Sequence, residues 1–198
     1  MKLMKFFVAN LLFVTLLLII YVTHVTFYRV NVVFYSSIFD GVIAAIITLF
    51  LVCLIKWLRV FSRFEKLQLV FGWLLLGYAF AISVPTVIDR SLSFYTLEKL
   101  QQRGGGIQLS AFENVYAKEY MKEHRLVDVR LTEQEQSGTI VIQDGCVKLT
   151  AWGDQLATAS RYFRNHFLPK ERLLRGEYSS DLTDPFKNST AVVDYLCK

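Results

Sequence analysis

Three apolar stretches, Phe6 to Tyr28, Val32 to Ile55 and Leu67 to Ile88, fill most of the first 88 residues of this chain and constrain what it can fold into. An α-helix rises about 1.5 Å per residue, so about 20 apolar residues cross a bilayer core while satisfying their backbone polar groups internally. The first and third stretches contain no Asp, Glu, Lys or Arg, and the second contains only Asp40. A soluble alternative would bury three long helices on every side in a chain of 198 residues, which is too small to wrap them. The expectation is a three-helix transmembrane anchor over residues 1–88, with spans at about 6–28, 32–55 and 67–88.

The charges divide the chain at the same place. Lys2, Lys5, Arg29, Lys56, Arg59, Arg63 and Lys66 precede residue 88 against only Asp40 and Glu65, and the remainder carries 15 basic and 15 acidic residues. The net charge of +5 therefore belongs to the anchor, and the rest of the chain is neutral. The opening Met1-Lys2-Leu3-Met4-Lys5 has the form of a secretory signal. The apolar run behind it is too long for a signal core, and Tyr21-Val22-Thr23-His24 lacks the small residues of a cleavage site, so it reads as an uncleaved signal anchor. Basic loops are retained in the cytoplasm. The amino terminus and the loop Lys56 to Lys66 are both basic, whereas the first loop offers only Arg29. The rule predicts a multi-pass protein of the bacterial inner membrane with its amino terminus in the cytoplasm and residues 89–198 periplasmic or otherwise exterior.

Within the spans, Gly41 with Ala45 and Gly77 with Ala81 place small residues one turn apart, a spacing that lets helices pack closely in lipid. Asp40 admits two placements. Either the second span begins at Gly41 and Asp40 lies at the outer surface, or the carboxylate is inside the apolar zone, where such groups are paired or functional. Arg29, Asp40, Asp89 and Arg90 are candidates for an outer-face polar cluster able to meet a lipid-linked phosphate or a partner.

Beyond the anchor, residues 89–106 read as a membrane-proximal helix broken by Gly104-Gly105-Gly106, a hinge and not a phosphate loop, since no strand precedes and no Lys-Ser/Thr follows. Ser110 and Glu113 have capping-box spacing, and Phe112, Val115, Tyr116 and Tyr120 follow at helical intervals, predicting a helix from about Ala111 to Glu123. A short helix over Leu126 to Gln136 should stop at Ser137-Gly138. Thr139 to Gln143 and Cys146 to Leu149 flank Asp144-Gly145, a strong signal for a tight hairpin. Thr150 then caps a helix in which Leu156, Ala159, Phe163 and Phe167 share a face. From Pro169 to residue 198 the chain reads as a polar tail.

Helix, short helix, Asp-Gly hairpin and a Leu-Thr-x-x-Gly helix start resemble the winged-helix domain of MarR-like regulators, over about Leu109 to Leu168 within a domain of residues 107–168. The motif that carries the resemblance is Val147-Lys148-Leu149-Thr150-Ala151-Trp152-Gly153, the second wing strand running into a helix. The fold class expected is thus mostly α: three transmembrane helices followed by a small α+β winged-helix-like domain with one β-hairpin. The resemblance implies a short helix that enters a DNA groove, with basic residues on phosphates. Here that helix sets Arg130 against Asp128, Glu133 and Glu135, and the wing tip is Gln143-Asp144-Gly145. This is the wrong sign for neutralising phosphates, so a protein contact is expected and no nucleic acid.

The chemistry-bearing residues are sparse. An oxidising exterior would permit a disulfide between Cys146 and Cys197, the alternative being two unrelated thiols. His24, His124 and His166 are far apart in sequence and lack ligands at metal spacing, and no hydrolase, metalloprotease or nucleotide motif is present, so no metal, no cofactor and no catalytic residue is expected. Asn188-Ser189-Thr190 fits a glycosylation sequon, which has meaning only in a eukaryotic secretory pathway. These features describe a non-catalytic accessory subunit, partnered by membrane lipid and a larger membrane protein subunit, with envelope polysaccharide or lipid-linked glycan assembly as its setting; homo-oligomerisation is left open. A membrane-tethered transcriptional regulator with a cytoplasmic domain and a small enzyme acting on a lipid-linked substrate are the alternatives.

Overall fold

The protein is mostly helical, and the computed structural model describes residues 2–182, 185–186 and 197. The glycosylation sequon lies outside these described residues. The chain divides into two units, Met1–Leu109 and Ser110–Lys198.

The first unit contains three long helices, α1 (Lys2–Phe27), α2 (Val33–Leu54) and α3 (Arg63–Ala81), and all three are long and apolar enough to cross a membrane. The third span begins four residues earlier than the hydropathy predicts. Its start is fixed by a capping box in the basic loop: the Ser62 hydroxyl accepts from Glu65 N at 3.3 Å, and the Glu65 carboxylate accepts from Ser62 N at 2.8 Å. Two otherwise orphaned amides are satisfied, so charged Arg63 and Lys66 are carried into the first helical turns. At its other end α3 widens into a π-helical turn over Ile82–Thr86 that contains Pro85, then closes with Val87–Arg90. Proline has no amide to donate and its ring crowds the preceding turn, which the wider turn accommodates.

Helix α2 lies between the other two and packs on both. Its buried positions are Ser37, Asp40, Gly41, Ala44, Ala45, Thr48 and Val52, a stripe of small and polar residues at helical spacing. Gly41 meets Gly77 of α3 so closely that a Cβ built on either would lie 3.2 Å from the other's Cα. With Ala45 and Ala81 also buried, backbones approach where side chains are absent. At the end where the chain enters α1 and α3, contacts are larger and more polar. Phe13 stacks on Trp73 with centroids 5.7 Å apart, and Trp73 Nε1 donates to Asn10 Oδ1 at 3.1 Å. Lys2 Nζ pairs with Glu65 at 2.7 Å, and Lys5 sits 5.2 Å above the Trp57 ring. The amino terminus and the basic second loop therefore share one end of the helix bundle. Helix α4 (Leu92–Gln102) follows, capped by the Ser91 hydroxyl on Phe94 N, and the chain leaves it through Gly104 and Gly105, both at positive φ.

The second unit opens with a helical run over 109–123, in which the central Val115–Tyr120 is π-wound. The Ser110–Glu113 capping box expected from the sequence does not form. Ser110 lies inside a 3₁₀ turn, Leu109–Ala111, and the cap position of the next helical segment falls on Ala111, which has no side-chain hydrogen bond to offer. Helix α5 (Leu126–Gln136) and the hairpin of β1 (Ile140–Gln143) with β2 (Cys146–Leu149) follow. The strands are antiparallel, with Gln143 opposite Cys146, and Asp144 and Gly145 both take positive φ in the two-residue turn. Helix α6 (Ala151–Phe167) is capped by Thr150, whose hydroxyl accepts from Gly153 N at 3.0 Å. Gly153 is required here: a Cβ would collide with the Thr139 carbonyl, because the start of α6 lies directly on the chain entering β1.

Beyond Pro169, where a polar tail is expected, the described residues form a second hairpin. Strand β3 (Arg172–Leu174) pairs with β4 (Glu177–Ser179) around Arg175 and Gly176, again both at positive φ.

Candidate functional site

The site starts from the one buried carboxylate in the membrane half. Asp40 is 1% exposed and lies seven residues into α2, roughly 10 Å along its axis at 1.5 Å per residue. Helix α2 thus begins well before Gly41, and the carboxylate is enclosed by protein at the helix interface. Ser37 and Thr48, the other buried polar side chains of this helix, return their hydroxyls to carbonyls one turn back, at Val33 and Ala44. A carboxylate cannot do this, because it is an acceptor and those carbonyls are acceptors too. Asp40 instead crosses to α1, where His24 Nδ1 stands 2.7 Å from its Oδ1. The other oxygen, Oδ2, is buried and has no hydrogen-bond partner among the described residues.

His24 is set by its own helix. It lies three residues before the end of α1, half-buried, with the Tyr28 ring edge-on at 5.9 Å. Around the pair, α1 and α2 leave a groove of about 340 Å³ lined by Ile19, Ile20, Thr23, His24, Tyr28, Phe39, Asp40 and Ile43. The helices run antiparallel, so the groove is graded. Ile19, Ile20 and Ile43 form its wholly apolar end, and Thr23, His24, Tyr28 and Asp40 gather its polar groups toward the α1–α2 connection, with the Phe39 ring beside them.

The expected outer-face cluster comes together only in part. Arg90 Nε stands 4.0 Å from its neighbour Asp89, while Arg29 is exposed on the loop after α1. Among the described residues neither arginine forms an ion pair with Asp40, whose partner is His24. His24 has no ligand-type neighbour at metal spacing in the sequence, so local spacing does not single it out. The available signal is positional: His24 lies three residues before the end of α1 and Asp40 seven residues into α2, so in an antiparallel pair they fall within about one turn of each other.

In the second unit Cys146 and Cys197 are joined by a disulfide, whereas Cys53, on α2 of the first unit, is free. The bond ties the start of β2 to residue 197 across 51 residues of chain. On α6, Trp152, Leu156, Ala159, Phe163 and Phe167 fall within about 80° of one another at 100° per residue, and all five are exposed; Gly153 alone is buried on this helix.

Fold and site together define a membrane-embedded protein with three candidate spans. Comparison with protein-family models, curated proteins and solved structures finds no match for the chain.

Proposed function

We propose that this chain is a non-catalytic accessory subunit of the bacterial inner membrane, whose three spans anchor an exterior winged-helix-like module that docks on a larger membrane protein. The observation that carries this reading is the bare apolar face of α6. A 17-residue helix with Trp152, Leu156, Phe163 and Phe167 exposed along one side has not buried the surface that normally stabilises an amphipathic helix. Contiguous aromatic and aliphatic exposure of this kind marks interaction sites, with Trp and Phe as the usual anchors. The exterior assignment is supported by the basic residues at one end of the bundle and by a disulfide suited to an oxidising compartment. The neutral charge balance after residue 88 suits a protein partner better than a nucleic acid.

The test is site-specific photo-crosslinking from Phe163 in intact cells, combined with an alkaline-phosphatase fusion after Lys198. A discrete partner adduct that disappears when Trp152→Glu/Phe167→Glu is added to the crosslinking chain, together with an active fusion, is the expected result. A protein that purifies alone as a stable monomer and yields no adduct would sink the subunit reading, and an inactive phosphatase fusion would reverse its topology.

A further inference from the structure

The groove beside His24 and Asp40 has walls for a hydrocarbon chain and, at one end, a buried acceptor that the protein leaves unused. We propose that it binds a membrane lipid whose head is a free hydroxyl, that is, a long-chain alcohol, with the hydroxyl on the His24–Asp40 pair and the chain lying along Ile19, Ile20 and Ile43. This inference rests on the first unit alone and stands apart from the docking role given to α6.

Three observations carry it. The groove is graded from apolar to polar in the direction of the α1–α2 connection, the order in which a lipid presents tail and head. Its volume of about 340 Å³ matches the lower range of ligand sites, enough for a head and the adjoining part of one chain. Asp40 then supplies the chemistry. Oδ1 is engaged by His24 Nδ1, while Oδ2 is closed to solvent and unpartnered among the described residues, an arrangement proteins rarely leave uncompensated. The terminal torsion of an aspartate is soft, so a modest rotation turns Oδ2 toward the groove that Asp40 lines.

A hydroxyl fits this opening better than the other lipid heads. It brings one donor for Oδ2 and lone pairs that accept from His24 Nε2 when that nitrogen carries a proton, so it suits either state of the ring. His24 already occupies the position of a counter-group, and an ammonium head would add a second. A phosphate would add acceptors to a carboxylate at a depth where charge is costly. The Thr23 and Tyr28 hydroxyls at the same end can exchange hydrogen bonds with a neutral oxygen.

The experiment uses the full chain in lipid nanodiscs and a diacylglycerol bearing a photoactivatable group on one acyl chain. Its controls are the methyl ether of the same molecule and a phosphatidylglycerol with the same chains. The expected result is saturable labelling within residues 19–28 and 39–43 by the alcohol, about tenfold above the ether, the factor set by one hydrogen bond to a charged acceptor. Asp40→Ala should erase the preference for alcohol over ether. Ile43→Trp, which fills the groove and leaves the pair in place, should abolish labelling by both, and it decides the matter if Asp40→Ala fails to assemble. Equal labelling by alcohol and ether in the unaltered protein, preferential labelling by the phospholipid, or labelling indifferent to Ile43→Trp would each overturn the proposal.

Discussion

Replacing His24 alone by Leu leaves the Asp40 carboxylate at an apolar helix interface with neither partner nor water. Breaking a buried pair from one side costs about 3–5 kcal/mol, whereas exchanging both members for apolar residues is often neutral. The expected outcome is that His24→Leu strongly lowers the resistance of the helix bundle to unfolding, while the double variant His24→Leu/Asp40→Leu recovers most of the loss. Unfolding curves in mixed micelles measure both. If the loss in the double variant equals the sum of the losses in His24→Leu and Asp40→Leu, the pair contributes no coupling and the 2.7 Å contact is incidental.

At the scale of elements, the Gly41–Gly77 crossing sets how near α2 and α3 can come. Gly41→Ile places a branched side chain where even a Cβ would lie 3.2 Å from the opposing backbone, so α3 must move away and the small-residue stripe loses its contacts. The expected destabilisation is about 1–3 kcal/mol, the usual cost of overpacking, with Gly72→Ile as a control because nothing lies within 4 Å of a Cβ there. The disulfide allows a second check. In membranes extracted without reductant, a thiol reagent should label Cys53 only, and after unfolding and reduction all three cysteines. Closing a loop across 51 residues stabilises the second unit by about 4 kcal/mol in the chain-entropy model, so Cys146→Ser should lower its unfolding midpoint markedly.

What was legible in the sequence at this scale follows from which signals are local. The three apolar helices, the Asp144-Gly145 hairpin, the stop at Gly138 and the Thr150 cap are each encoded along one stretch of chain, and the structure shows all of them. Ser62-Arg63-Phe64-Glu65 carries the same capping pattern as Ser110-Ala111-Phe112-Glu113, yet only the former closes a box. A motif states what a backbone can do; the chain around Ser110 tightens into a 3₁₀ turn instead. The hairpin at Arg175-Gly176 escaped notice because each arm is three residues long and shows little alternation. Asp40 stands out in the sequence, but its pairing with His24 does not: their meeting depends on how two helices are rotated against each other, which no window along one helix contains.

For the molecule as a whole, the balance of charge makes a prediction about orientation. If Lys56, Arg59, Arg63 and Lys66 hold the second loop on the cytoplasmic side, exchanging all four for Gln should produce a mixed population in which part of the chains present residues 89–198 to the cytoplasm. Protease accessibility of that region in spheroplasts checks this. Full accessibility, as in the unaltered chain, would mean that Lys2 and Lys5, one of them paired with Glu65 and the other above Trp57, suffice to orient the bundle.

The partnership of Asp40 with His24 also bears on how the protein enters the bilayer. Both residues belong to the first two helices, so if α1 and α2 leave a translocation channel together as a helical hairpin, the carboxylate finds its imidazole at that point. The costly group is then accommodated before α3 has been synthesised, and the arrival of the third helix against Gly41 becomes a matter of shape instead of charge.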